Sequence, residues 1–453
     1  MLKTNTLHRL RLTLLNLLTS RGVTGDRLAY KLAEQEIKQI TESCERVLLK
    51  NILPFWYPHV IDRQAGGYRL NHDPLGAWKG PASKCLVTQA RTFWFFSRIS
   101  RSKYGTSKHL DAAHHGYAFL RDHMWDRQHG GFYWEVEASG HRATRPDKHL
   151  YAQAFGLYAL LEYAGASGDT SAKTLAQELF NLLEHPAHDP KHGGYRECFR
   201  RDWSRYPEDH IGYMNTAASH KLMNTHLHLL EAMTQYYLVT REPLARERLI
   251  ELIFVLSNTM VHKTIAVCTE KYQHDWKPLR GPRNDRVSYG HQLENIWMLM
   301  EACRATDLSN SPLLDLYRTL FDYTLLYGFD QSAGGFYHTG PFNGVADQRG
   351  KIWWVQAESL VSALGMYDLT REKVYFDCFL RTLDWIMKYQ IDWKGGDWHA
   401  RVSEARKPSG DKAGAWKSPY HNGRAMLQCL ELLAAIDPSA GDPAPTRQVR
   451  SLR

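Results

Sequence analysis

Six helical hairpins closed into a ring, an all-α, single (α/α)6 barrel with short β-hairpins at one mouth, is the architecture this sequence predicts. Three observations point to it. A phrase made of Asp, a few polar residues, Gly-Gly and an aromatic recurs along the chain. Long segments of helical periodicity lie between its copies. No linker-like stretch divides the 453 residues, so the helices belong to one body.

The phrase stands at Asp62…Gly66-Gly67-Tyr68, Asp126…Gly130-Gly131-Phe132, Asp189…Gly193-Gly194-Tyr195, Asp330…Gly334-Gly335-Phe336 and, more weakly, Asp392…Gly395-Gly396-Asp397-Trp398. The first three copies are about 63 residues apart, the next gap is about twice that, and a single step follows; a fixed period marks a repeat architecture. The vacancy falls at residues 267–272, an extended-looking run, which makes six units with one that has lost its Gly-Gly. Helical patterns cover residues 152–164, 217–239, 249–260, 291–305, 313–327, 356–367, 373–389 and 425–435. Each unit is thus two helices and a Gly-Gly turn with short strands. Inner helices are expected to be apolar nearly all round, with the Gly-Gly loops crowding one mouth.

Composition narrows the function classes. Hydrophobic residues at 43% supply a large core, and aromatics at 12% suit a sugar-stacking surface as well as core. No apolar run approaches the roughly 20 residues of a membrane span. The net charge of +9 is concentrated at the ends. Residues 1–28 hold five basic residues against Asp26, a net of +4, and residues 441–453 hold three arginines against Asp442, a net of +2. The remaining +3 is no footprint for a phosphate backbone, so neither nucleic acid nor membrane is expected as a partner. Cys44, Cys85, Cys198, Cys268, Cys303, Cys378 and Cys429 are scattered without CxxC spacing, as in a cytoplasmic protein with reduced thiols. The apolar stretch 10–18 is interrupted by Arg11 and Asn16 and lacks a small-x-small cleavage pattern, so it reads as an amphipathic extension rather than a targeting segment. The expected organisation is a basic extension over 1–28, a catalytic domain over 29–438 and a flexible tail over 439–453.

The candidate chemistry gathers at helix starts. In Ser288-Tyr289-Gly290-His291-Gln292-Leu293-Glu294, His291 and Glu294 share one helical face, and a carboxylate beside an imidazole orients it and raises its basicity. The same pair also reads as a helix-start histidine with a capping glutamate. Asn224, His228 and Glu231 fall on one face of the next such helix, whereas His226 points elsewhere, which argues against a metal-chelating His-x-His. A buried polar row of this kind also suits a structural hydrogen-bond network. Trp353 and Trp354 stand at a helix start, one expected to face a pocket and the other to pack outside. Trp416-Lys417-Ser418-Pro419-Tyr420-His421-Asn422-Gly423-Arg424 is a shaped loop that runs into the last helix and puts His421 at its start. Arg91 lies in an apolar helix, where it binds a developing oxyanion or pairs with a core carboxylate such as Glu358 or Glu231. Dinucleotide, Walker, zinc-protease and serine-elbow motifs are absent from the sequence.

Five of these stretches recur in one order: Arg91 in an Ala-Arg-x-x-Trp setting, 223–232, 288–294, Trp353-Trp354-Val355-Gln356-Ala357-Glu358 and 416–424. Together they resemble the N-acylglucosamine 2-epimerase superfamily, most closely its cellobiose 2-epimerase and mannose 2-epimerase branch, from about residue 51 to the last helix. The resemblance implies an (α/α)6 barrel and an isomerase of carbohydrate metabolism that inverts C2 of an unphosphorylated reducing-end aldose through ring opening and a cis-enediolate. It implies His291 and His421 as the acid/base pair, Glu294 orienting His291, and Arg91 and His228 as donors to the enediolate oxygens, with Asn224 supporting His228. Trp416 and one of Trp353 and Trp354 would stack on sugar rings, with Glu358 among the substrate-binding residues. No metal, cofactor or nicotinamide is implied, and the partner is a small sugar, bound by a monomer or homodimer. Mannose or glucose, a cellobiose-type disaccharide and an N-acylated hexosamine all stay open as substrates. The rival readings are aldose–ketose isomerisation, in which the same enediolate is reprotonated at C1, and an (α/α)6 glycoside hydrolase, which needs two carboxylates flanking the scissile bond.

Overall fold

The computed structural model describes residues 27–262, 264–265 and 267–436. The expected extension lies outside them save for Arg27 and Leu28, and the expected tail lies wholly outside. Arg27 is tied to Glu372 at 2.7 Å and also pairs with Asp322, so the packed body begins upstream of residue 29.

The Gly-Gly phrases fold into small hydrogen-bonded frames. In the second copy the Asp126 carboxylate accepts from the backbone N–H of Gln128 (3.1 Å) and from Lys148 Nζ (3.1 Å), and Lys148 also reaches the Gly131 carbonyl. Gln153, at the fourth position of the following helix, accepts from Phe132 N–H at 2.9 Å and donates to Phe132 C=O at 2.8 Å. Buried backbone groups need such partners, which is why a side-chain amide recurs there. Gln89 serves Tyr68, Gln356 serves Phe336 and Gln292 serves Cys268 in the same way, while His226 takes the role for Tyr195. Gly131 has φ +69°, and a Cβ there would lie 2.6 Å from Trp203, so the turn requires glycine.

The helices that follow the frames are α2 (Leu86–Ser100), α4 (Leu150–Ser167), α6 (Met223–Thr240), α8 (Tyr289–Ala305), α10 (Trp353–Thr370) and α12 (Tyr420–Ile436). They are buried on nearly every face; in α4, Leu150 through Leu157 are all buried. Between them run α1 (Glu34–Val47), α3 (Ser107–Phe119), α5 (Thr170–Leu182), α7 (Pro243–Phe254), α9 (Leu314–Gly328) and α11 (Lys373–Trp385). Each helix of the first set packs against the next, and α12 returns to α2, closing the ring; each helix of the second set packs outside a member of the first. The chain is mostly helical, as expected. Some boundaries differ: α7 begins at Pro243 rather than at 249, and α12 at Tyr420 rather than at 425. The start of α6 is at Met223 rather than at 217, because residues His220–Leu222 form a strand paired with Lys271–Gln273.

The short strands do more than form hairpins. The strand that leads into each inner helix pairs antiparallel with the strand after the next unit's frame: Lys84 with Val136, Lys148 with Phe199, Arg286 with Pro341 and Lys351 with Val402. A bridge from His72 to Ala413 joins the last unit to the first. Successive units are thereby laced together at the mouth where all six inner helices start.

Candidate active site

The expected site residues converge because they occupy the first turns of the inner helices at that laced mouth. Ser288 caps α8, its hydroxyl accepting from His291 N–H. At Gly290 a Cβ would fall 2.3 Å from Trp354, so glycine lets that indole lie against the α8 start. The Trp354 ring sits 4.8 Å from the His291 ring and 5.9 Å from the His421 ring. Trp353 also faces His421, at 6.4 Å, so the expectation that one of the two indoles packs outside is corrected: both border the same imidazole.

His291 is oriented by Glu270, not by Glu294. Its Nδ1 lies 2.9 Å from both Glu270 oxygens. Burial disfavours the imidazolium, but the Glu270 charge and hydrogen bond outweigh it and hold His291 above the ordinary histidine range. The i, i+3 spacing that suggested Glu294 fails because the ring turns to Glu270, in the loop between its own unit's frame and α8. Glu270 stands in the unit that lost its Gly-Gly, within the run already marked as vacant; an acid in a degenerate repeat was the signal available.

Glu294 instead points inward, 1% exposed, with no hydrogen-bond partner on either oxygen. It lies 4.0 Å from His228 Nε2 and 3.7 Å from Arg424. Burial and the neighbouring Glu358 push its carboxyl well above the usual carboxylate range.

Glu358 orients His421 rather than waiting for substrate. His421 Nδ1 lies 2.6 Å from Glu358 Oε1, and Glu358 also accepts from Trp297 Nε1 (2.9 Å) and Arg424 Nη2 (2.6 Å). Burial and the positive charges of Arg91 and Arg424 push His421 well below the ordinary range, so it is neutral. His228 and Glu231 do realise their i, i+3 spacing, at 3.1 Å, and burial lowers His228 to about 4. Glu231 also accepts from Arg424 and Tyr420, so the single ring proton of His228 is committed to Nδ1. Its Nε2 therefore presents a lone pair, not the donor expected. Asn224 makes no hydrogen bond to His228, and its buried amide oxygen has no partner among the described residues.

Arg91 pairs with no carboxylate among the described residues. It donates to Tyr151 Oη at 2.9 Å and to the Trp416 carbonyl at 3.2 Å, and its guanidinium lies over the rings of Phe155 (4.2 Å) and Tyr420 (5.0 Å). This buried guanidinium is thus partnered only by neutral oxygens and ring faces, with no carboxylate offsetting it. Trp416 is 45% exposed, 6.1 Å from Tyr151, at the rim of the cluster. Ligand atoms of Glu294, Glu358 and His421 lie within 4.8 Å of one another, but the Arg424 guanidinium already supplies the cation there.

A closed set of helices with histidines, carboxylates and a charged arginine at one mouth has the make-up of an acid/base enzyme site, and the comparisons with known proteins give it a family. The N-acylglucosamine 2-epimerase (GlcNAc 2-epimerase) family model matches residues 66–425, and the chain belongs to that family. A cellobiose 2-epimerase of Bacteroides fragilis is 28% identical, over 87% of this chain and 98% of its own. The solved cellobiose 2-epimerase of Spirochaeta thermophila is 33% identical with a TM-score of 0.80, over 89% of this chain and 98% of that one. A D-mannose isomerase of Marinomonas mediterranea is 24% identical, over 86% of this chain and 96% of its own. The chain is an isomerase of the epimerase class that acts on carbohydrate. Among the described residues no helix is long and apolar enough to cross a membrane.

Proposed function

We propose that this protein is an (α/α)6-barrel carbohydrate 2-epimerase that inverts C2 of an unphosphorylated reducing-end aldose with His291 and His421 as opposed acid/bases. The observation that carries the reading is the pair of imidazoles that both border Trp354. Each is tied through Nδ1 to its own carboxylate, and the two are shifted in opposite directions. A neutral His421 takes the C2 proton of the open-chain aldose through Nε2. The electron pair becomes the C1=C2 bond of an enediolate, with the negative charge on O1, and the imidazolium of His291 returns a proton to the other face of C2. The opposite epimer runs the sequence backwards.

Arg91 is the donor for the enediolate oxygen, since its charge meets no carboxylate. His228, with Nε2 bare, accepts from a sugar hydroxyl and so assists ring opening at O1–H. Trp354 and Trp416 supply the stacking faces. Three acids that could have served a hydrolase, Glu231, Glu294 and Glu358, instead gather around Arg424, which does not suit two carboxylates flanking a scissile bond. Reprotonation at C1 would give a ketose, and the Marinomonas relative named a D-mannose isomerase makes that the second reading.

The test is incubation with mannose, glucose, cellobiose and N-acetylmannosamine in deuterated water, read by proton NMR. Deuterium at C2 of the epimer, with the sugar thereby named, is the expected result. Ketose as the main product moves the protein to the isomerase reading, and monosaccharide release without exchange overturns both.

A further inference from the structure

Arg424 touches none of the positions assigned to the sugar, yet it sits behind two of the histidines. Its Nη1 donates to Glu231 Oε1 and its Nη2 to Glu358 Oε1, each at 2.6 Å. Those same carboxylates hold His228 Nδ1 at 3.1 Å and His421 Nδ1 at 2.6 Å. The three carriers lie on α6, α10 and α12, so one guanidinium ties together the starts of three inner helices. We propose that Arg424 is a positioning residue that sets His228 and His421 as one unit: it anchors both carboxylates, which hold each ring proton on Nδ1 and leave each Nε2 bare toward the sugar. The proposal rests on the two-histidine reading above.

The geometry calls for a guanidinium. Its planar fork offers two terminal nitrogens in fixed directions, one for each carboxylate, which a single ammonium cannot match. Arg424 is 1% exposed, with the rings of Trp297 (4.6 Å) and Tyr420 (4.1 Å) over its plane, so the fork has no freedom to swing to one acid alone. Glu358 receives His421, Trp297 and Arg424, and each of its bonds is with a donor group once it is ionised. Without Arg424 the two acids face each other and Glu294 in a buried interior, one of them takes up a proton, and its histidine loses the acceptor that selects its tautomer.

Arg424→Lys and Arg424→Gln in the full chain test this by two readouts. Imidazole ¹⁵N shifts of wild type are expected to report one Nδ1–H tautomer for His421 and His228, and a mixture in both variants. On the sugar that wild type epimerises, kcat is expected to fall about 10–100-fold, as when an orienting outer partner is lost, with KM changed less than about threefold. Adding Glu358→Gln to Arg424→Lys is expected to cost little more than either alone, because both act through His421. Wild-type tautomers and wild-type kcat in Arg424→Lys, with only a lower Tm, overturn the proposal. If Arg424→Gln fails to fold, Arg424→Lys decides. If wild type turns over no sugar, the two-histidine reading falls, and the imidazole spectra still decide the role of Arg424.

Discussion

The second and fourth units share one frame and use it differently. In the second, Asp126 and Lys148 form an ion pair with both side chains fully buried, and Gly130-Gly131 turns the chain. In the fourth, His262 stands where the aspartate would be, Val287 where the lysine would be and Cys268 where the aromatic would be; Gln292 alone is kept. The backbone scaffold survives the loss: Val261 still bridges Cys268 as Trp125 bridges Phe132, and His262 N–H still meets the Val267 carbonyl at 2.7 Å. What the fourth unit has gained is Glu270, the acid behind His291. The comparison teaches that the laced strands and the side-chain amide hold the loop, while the ion pair adds local stability that one unit does without.

The sharpest break of that comparison is at the histidines the loops serve. His291→Ala and His421→Ala are each expected to lower kcat about 10³-fold, within the range a general acid or base supplies, with deuterium exchange at C2 as the measurement. Next is the frame itself. Lys148→Met leaves Asp126 buried with Arg201 as its remaining cation, and breaking such a pair costs about 3 kcal/mol, to be read from denaturant unfolding. Val287→Ile, at the matching place in the fourth unit, is expected to change stability by only about 1 kcal/mol, since it adds one methylene and strips no charge of its partner.

Glu270→Gln follows, with kcat lowered about tenfold or somewhat more and little change in Tm. Its sign with pH is definite. Glu270 raises the pKa of His291, the proton donor, so activity is present below that pKa and lost as pH rises through it; the alkaline limb of kcat in Glu270→Gln moves to lower pH. The smallest effect belongs to Trp416→Ala at the rim, where loss of one stacking face is expected to raise KM several-fold with kcat nearly unchanged.

The sequence was most legible where chemistry is local. The Gly-Gly period, the run of apolar inner helices and the i, i+3 pair His228–Glu231 are all set within one turn or one unit, and the structure has them. Where an orienting partner lies outside the histidine's own helix, local spacing misled. His291–Glu294 has the same spacing as His228–Glu231, yet His291 turns to Glu270, 21 residues upstream, and His421 takes Glu358 from 63 residues away. Arg424 stood in the last motif without a role, because its two partners lie 193 and 66 residues distant.

What this sequence determines by itself is the repeat, the helices with their starts, and the residue types collected at those starts, because periodicity and turn chemistry act over a few residues. Which carboxylate serves which histidine, which arginine is left uncompensated and which acid is held above its usual range were decided by the tertiary structure alone. Closing the helices into a ring brings first turns from distant parts of the chain within hydrogen-bond reach, and in that buried centre the nearest charge, not the nearest residue in sequence, sets each proton.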